Sequence, residues 1–274
     1  MARTIVVKVG GGEGIDLEHA AESFADLVDS GARCVLVHGG SHETNVLSER
    51  LGVPARTITS PSGHVSRRTD RATLDVFEMV YCGRVNKTLV ELLRRRGVDA
   101  IGLSGIDGGV WRGARKTAIR SLEHGRTVIV RDDLSGRVES VDAGLLAVLL
   151  DAGRVPVLTP PAITGDGVAI NVDADRAAAA TAAALDADEL LLLSNVEGVR
   201  RDAGDPASII RDAGEAGIDA VRSGARGRMK NKVLAAEEAL AGGVGRVVIG
   251  SAIGTDAIGR ALAGAGTVFE GVPA

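Results

Sequence analysis

The sequence of 274 residues predicts an α/β fold with a mainly parallel sheet, and two observations carry that prediction. Apolar, β-branched runs of strand length alternate with helical patterns. Two of those runs end in glycine clusters, Ile5-Val6-Val7-Lys8-Val9-Gly10-Gly11-Gly12 and Val35-Leu36-Val37-His38-Gly39-Gly40. Glycines at a strand exit let backbone N–H groups close on an anion, and the N-terminus of the next helix adds a favourable dipole. Ligands of open α/β sheets bind at that carboxyl edge. Lys8 lies inside the first apolar run, where a lysine is costly unless it is paired or faces a ligand.

Residues 4–9 and 33–37 read as strands and 17–30 and 43–51 as helices, a β-α-β-α start. Residues 57–66 are polar and turn-rich. The spacing then predicts one long helix over about 70–96, with Thr69 or Asp70 as its cap and Gly97 as its stop, and a return to the sheet at 98–102. Residues 111–139 break the rhythm. Runs 127–131 and 137–141 flank Asp132-Asp133-Leu134-Ser135-Gly136, which predicts a β-hairpin lying over the sheet rather than in it. A helix at 143–152, a strand at 155–159 and a turn at Pro160-Pro161 lead to Ile170-Asn171-Val172.

An alanine-rich helix at 174–185 follows, its thin surface suited to close packing. A buried strand at 189–193 then ends in another loop, Ser194-Asn195-Val196-Glu197-Gly198. A polar segment precedes a helix at 229–241, a strand at 246–249, a short helix near 256–262 and a last strand at 267–269. No internal repeat or low-complexity linker appears, and a lobe boundary is expected near 165–172.

Composition excludes several functions. The chain is long enough for a large core. Aromatic residues make up only 2% of it, which argues against binding single strands by base stacking and leaves any purine to aliphatic walls and backbone. A net charge of -4 gives no general attraction to nucleic acid or to an anionic membrane. Cys34 and Cys82 lack CxxC spacing, against both a disulfide scaffold and a zinc site, and fit the reducing cytosol. The first strand starts within three residues of Met1, so no signal peptide is expected, and no run of about 18 apolar residues could span a membrane.

Neither common nucleotide signature is present: Asn86-Lys87-Thr88 lacks the glycine of a P-loop, and no strict GxGxxG follows the first strand. Gly10-Gly11-Gly12 alone serves a tight turn as readily as an anion, and Lys8 tips the balance. Gly102-Leu103-Ser104-Gly105-Ile106-Asp107-Gly108-Gly109 repeats the pattern, so several glycine clusters are expected to converge at one sheet edge. Asp175 reads either as a helix cap or, better, as an anion that positions two lysines. A basic cluster, Arg228-Met229-Lys230-Asn231-Lys232, lies far downstream.

In their order, Lys8 through Gly12, Val37 through Gly40, Arg67-Arg68-Thr69-Asp70, Gly102 through Gly109, Asn171 through Asp175, Leu193 through Gly198 and Met229 through Val233 resemble acetylglutamate kinases. The resemblance to the amino acid kinase family covers nearly the whole chain. It implies a three-layer α-β-α sandwich of carbamate kinase-like fold. One lobe, residues 1–170, would bind the acceptor and dimerise, and the other, 171–274, would bind ATP. It implies that Lys8 and Lys232 stabilise the transferring phosphoryl group and that Asp175 orients them. Gly39 and Gly40 would hold the acceptor carboxylate through backbone N–H groups, with Arg67 and Asn171 clamping the rest of the acceptor. Gly11 would donate near the transferring phosphate, and Ser194, Asn195 and Gly198 would contact ATP. Mg²⁺ is expected on the ATP phosphates, with no metal ligand from the protein. A cytoplasmic homodimer is expected, without a regulatory domain or the N-terminal helix that links some relatives into hexamers.

Within the family the pattern is most similar to kinases whose substrate is attached to an acidic LysW-type carrier protein. Ser41 stands where acetylglutamate kinases usually have a third glycine, and Ser60-Pro61-Ser62-Gly63 precedes Ser66-Arg67. From Arg112 to Arg131 there are six Lys or Arg against one acid, Glu123, a local charge of about +5. That stretch reads either as a solvated hairpin or as a docking surface for an acidic carrier. The implied acceptor is carrier-linked 2-aminoadipate or glutamate, in lysine or arginine biosynthesis. The rival acceptor is free N-acetylglutamate, and a more distant alternative is a non-catalytic metabolite sensor.

Overall fold

The computed structural model describes residues 2–61, 65–123 and 126–270. The chain begins with β1 (Thr4–Val9), α1 (Leu17–Asp29), β2 (Arg33–His38) and α2 (Ser41–Arg50), followed by the short strands β3 (Thr57–Thr59) and β4 (Val65–Arg67). A long helical stretch comes next as α3 (Arg71–Glu78), a π-helical segment (Met79–Val85) and α4 (Asn86–Arg95). Then come β5 (Ala100–Ser104), β6 (Trp111–Arg115), β7 (Ile119–Glu123), β8 (Arg126–Val130) and β9 (Gly136–Val141). The middle of the chain continues through α5 (Ala143–Asp151), β10 (Val155–Thr159), β11 (Ala162–Thr164), β12 (Ala169–Ile170) and α6 (Ala174–Ala184). The remainder is β13 (Glu189–Ser194), α7 (Ala213–Ala216), α8 (Ile218–Gly224), α9 (Met229–Ala241), β14 (Arg246–Ser251), α10 (Ala257–Leu262) and β15 (Thr267–Glu270).

Side-chain alternation along the strands sets the architecture. Ile5, Val7 and Val9 of β1 enter one core while Val6 enters another, because successive residues of a strand point to opposite faces. The same holds for Leu191 and Leu193 against Leu190 and Leu192 of β13. The main sheet runs β15-β14-β13-β1-β2-β10-β5 and is parallel except for β15. Helices α5, α6 and α9 contribute to one core, and α1, α4 and α10 to the other. The result is the three-layer α-β-α sandwich that the sequence predicts, its strands apolar on both faces because both are covered.

The long helix forms with Asp70 as its cap, the carboxylate accepting from Thr73 N at 3.0 Å. Gly97, with φ of +81°, closes it. The π-helical segment in its middle re-aims the side chains of that turn. Residues 57–66 contain the antiparallel pair β3–β4, which sets Thr57 opposite Arg67. Ser62 and Gly63 of the Ser60-Pro61-Ser62-Gly63 sequence lie outside the described residues.

The hairpin expected between 127–131 and 137–141 does not form. Strand β8 pairs with β7, and β9 pairs with β6 in a separate sheet ordered β12-β11-β6-β9. Tertiary hydrogen bonds override the local turn preference of the intervening residues. The fully buried Asp133 carboxylate accepts from Thr69 N at 2.8 Å and Ser135 N at 2.7 Å, and Leu134 N donates to Thr69 O at 2.6 Å. Arg68 grips both oxygens of Asp132, at 2.9 and 2.8 Å. The β7–β8 hairpin stands outside the main sheet.

Phe24 of α1 is fully buried in the core that α1, α4 and α10 share with the sheet. Phe24→Ala is expected to lower the unfolding free energy by about 3–5 kcal/mol in a urea titration, with the midpoint falling accordingly.

Candidate active site

Lys8 follows Val6 on the same face of β1, beneath α6 and α9. Both helices begin there: Asp175 lies in the first turn of α6 and Lys232 in the first turn of α9. The three side chains meet. Lys8 Nζ is 2.7 Å from Asp175 Oδ1, and Lys232 Nζ donates to both Asp175 oxygens at 2.9 Å. Their exposures are 5%, 8% and 6%, so this is a buried ion triad.

The helix cap is Asp173, which leaves Asp175 free for the lysines. Asp173 Oδ1 accepts from Asp175 N and Arg176 N at 3.0 and 3.1 Å, while its Oδ2 accepts from Asn231 Nδ2 at 2.8 Å. One side chain therefore ties the starts of α6 and α9 together. Arg176 pairs with both oxygens of Glu238 further along, and buried alanines at 177, 178, 179, 182, 235, 236 and 239 let the helices approach closely.

Two ammonium groups share one carboxylate, so the triad has an excess positive charge. Burial opposes ionisation of Asp175, but Lys232 and Lys8 overcome it and hold the carboxyl well below the usual carboxylate range. For Lys8, burial pushes down, yet the charge and hydrogen bond of Asp175 leave it above 10.5. Lys232 receives the shortfall: burial, with Lys8 repelling it, outweighs Asp175 and brings it down to about 8.

The first two glycine clusters do converge. A Cβ on Gly11 would lie 2.0 Å from Gly40 N, so the two loops touch backbone to backbone and no side chain fits between them. His42 N and Ser41 Oγ donate to Gly11 O at 2.8 and 3.0 Å; Gly39 N donates to Val9 O at 3.0 Å, so the sheet takes the N–H that was expected to hold the acceptor carboxylate. Helix α2 starts at this contact without a side-chain cap; Gly11 O takes His42 N, and among the described residues the amides of Ser41 and Glu43 are left for an anion. The third cluster goes elsewhere: Gly105 packs on Pro161 and Trp111, Gly108 on Leu145 and Gly109 on Arg112. The β6 strand and α5 that follow it occupy that strand exit, so the expected three-way convergence is a two-way one.

Arg67 stands beside this junction. Its Nη2 donates to Asn45 Oδ1 at 2.5 Å and to Ser41 O at 3.4 Å, whereas Nη1 is buried without a partner among the described residues, a donor awaiting an acceptor. Burial lowers the Arg67 pKa, with Arg228 adding to the effect. Arg228 Nη1 reaches Ser41 Oγ at 3.3 Å. Asn171 Nδ2 donates at 3.0 Å to the hydroxyl of Thr69, two residues from Arg67.

Across the triad, Ser194 ends β13 with its hydroxyl buried and, among the described residues, unpartnered. Asn195 packs against Gly12, and its Nδ2 reaches Glu13 O at 3.5 Å. Gly198 is not brought to this group. It packs on Thr267 and Ile209, where Thr267 Oγ1 accepts from Val199 N at 2.8 Å.

Residues 3–251 match the model of the amino acid kinase family. The chain belongs to that family. A "[LysW]-aminoadipate kinase" of Deinococcus radiodurans is 55% identical over 266 residues, 97% of this chain and 91% of that protein. A second kinase of the same name, from Thermus thermophilus, is 51% identical over 268 residues, 97% of this chain and all of the other. Among solved structures, carbamate kinase from Giardia lamblia bound to AMP-PNP superposes with a TM-score of 0.68 at 18% identity, covering 99% of both chains, and so shares the fold.

Two residues of this amino acid kinase that its sequence did not single out adjoin the paired glycine loops. Tyr81, the chain's only tyrosine, lies in the π-helical segment with its ring against Gly40. The available signal was the chain's only tyrosine, four residues after Phe77 in the same helical stretch. His38 is buried and its pKa falls to about 4, mainly through burial, so it is neutral. Its Nδ1 donates to Gly39 O at 3.0 Å and its Nε2 accepts from Asn86 Nδ2 at 3.1 Å, which fixes the exit of β2. Among the described residues, no group of three or more His, Cys, Asp or Glu could hold a metal ion.

Asp175→Asn would leave two buried ammonium groups facing a neutral amide. A loss of about 3–5 kcal/mol of stability is expected, measured by denaturant unfolding, together with loss of phosphoryl transfer.

Proposed function

We propose that this kinase transfers the γ-phosphoryl group of ATP to the side-chain carboxylate of 2-aminoadipate or glutamate carried on an acidic LysW-type protein. The observation that carries the reading is the buried, net-positive Lys8–Asp175–Lys232 triad beside the paired glycine loops. Carboxylate and triphosphate repel each other, so the site must neutralise charge and align the reactants. A carboxylate oxygen attacks the γ-phosphorus, the bond to the β-phosphate oxygen breaks, and ADP leaves behind an acyl phosphate. No proton moves, so no general base is required and neutral His38 has a structural task.

Lys8 and Lys232 offset the charge of the phosphoryl group in transfer. Gly11 and the first amides of α2 donate to the reacting groups, and Arg67 with Asn171 clamps the acceptor. Ser194, with its orphaned hydroxyl, and Asn195 suit the nucleotide phosphates. Mg²⁺ on those phosphates supplies further charge neutralisation. Residues 1–170 serve the acceptor and the dimer, and 171–274 the nucleotide, in a cytoplasmic homodimer working in lysine or arginine biosynthesis. Among the described residues no helix is long and apolar enough to cross a membrane.

The carrier is supported by the two relatives above 50% identity and by the β7–β8 hairpin. Lys116, Arg120, Arg126 and Arg131 are exposed there, with Leu122 and Ile129 uncovered among them. Arg115 is committed to the fold, donating to Asp133 O at 2.8 Å and Arg131 O at 2.7 Å. Free N-acetylglutamate would use the same triad and loops but leave this hairpin without a role. A non-catalytic sensor would have no need of the intact triad.

A hydroxamate assay for acyl phosphate, run with carrier-linked and free acceptors, tests the reading. Turnover of the carrier adduct is expected; turnover of N-acetylglutamate alone would overturn it. Lys116→Glu, Arg120→Glu and Arg126→Glu together should raise KM for the carrier adduct in a salt-dependent way and leave kcat in place.

The protonated form of Lys232 is the useful one. As pH rises through about 8 its charge is lost, so kcat/KM for ATP should fall with a single-proton limb near that pH, absent in Lys232→Arg.

A further inference from the structure

Tyr81 has a hydroxyl that its surroundings do not explain. Its ring stacks on Phe77 with 3.7 Å between centroids and faces His38 at 6.5 Å, and the residue is 8% exposed. A phenylalanine would fill that stack equally well. The position of the ring depends on the π-helical segment Met79–Val85, since one residue fewer in the turn would rotate it by about 100°. It is held so close to Gly40 that a Cβ there would lie 3.1 Å from two ring carbons.

The polar groups that act on the phenol are all donors or cations: the Gly40 N–H, Arg67, Lys8 and Arg228. A phenol both accepts and donates. Among the described residues no protein acceptor takes its proton. Burial raises its pKa, so that proton stays in place. The buried Nη1 of Arg67 is likewise a donor without a partner among the described residues. Two unfulfilled donors beside an uncapped helix start, with cations around them, describe the complement of a carboxylate.

We propose that Tyr81 is a catalytic residue whose O–H donates to one oxygen of the carboxylate that is phosphorylated, fixing its plane so that the other oxygen attacks. The proposal rests on the acceptor reading given above. Atoms balance without Tyr81 changing state. The bond from carboxylate oxygen to γ-phosphorus forms, the bond from γ-phosphorus to β-phosphate oxygen breaks, and the phenol keeps its proton.

Tyr81→Phe removes one oxygen and keeps the stack. The variant should lose about 10- to 100-fold in kcat/KM for the acceptor, with the Kd for ATP and the unfolding Tm unchanged. An unchanged kcat/KM, or an equal loss of ATP affinity, would overturn the assignment. Both proteins are assayed for acyl phosphate with carrier-linked aminoadipate and with N-acetylglutamate. Wild-type turnover of N-acetylglutamate alone would overturn the carrier reading, and Tyr81 is then judged on that acceptor by the same comparison.

Discussion

Asp175 is a single carboxylate facing two buried ammonium groups, and much of the molecule is arranged to keep it there. Burying either lysine alone would cost several kcal/mol or neutralise it. With the carboxylate at 2.7 to 2.9 Å from both, β1, α6 and α9 are bound to one another at the place where phosphate chemistry requires them. The cap at Asp173, the bond from Asn231 and the alanine faces of α6 and α9 all bring the two helix starts to that carboxylate. The uncompensated charge that remains is a standing attraction for an anion, supplied without any mobile part.

The second organising feature is the node around Asp133. Its carboxylate holds Thr69, Thr69 holds Asn171, and Arg68 holds Asp132, so the segment leading out of the basic hairpin is bonded to the residues flanking Arg67. Arg115 joins the same node from the other side. The surface proposed for an acidic carrier and the side chains proposed to clamp its cargo are thus parts of one hydrogen-bonded unit.

The parallel sheet and the importance of Lys8 were legible because their signals are strong and local: β-branched runs, glycine exits, and a lysine where lysines are expensive; Lys232 was joined to them through the family resemblance. The pairing of residues 111–141 was not. Its outcome depends on buried hydrogen bonds from Asp133 to a residue 64 positions earlier, which no turn propensity encodes. The third glycine cluster misled for a related reason, since Trp111 and Leu145 fill the space at that strand exit. Tyr81 escaped notice because a π-helical turn has no sequence period of its own, and only that turn aims the phenol at Gly40.

Strand β1 is hydrogen-bonded along its length to β2 on one side and β13 on the other. The halves proposed to serve acceptor and nucleotide are therefore neighbouring strips of one pleated plate, with the ladder that carries Lys8 shared between them. The place of Lys8 is inherited from that ladder, while the place of Lys232 is set by where α9 begins over the sheet.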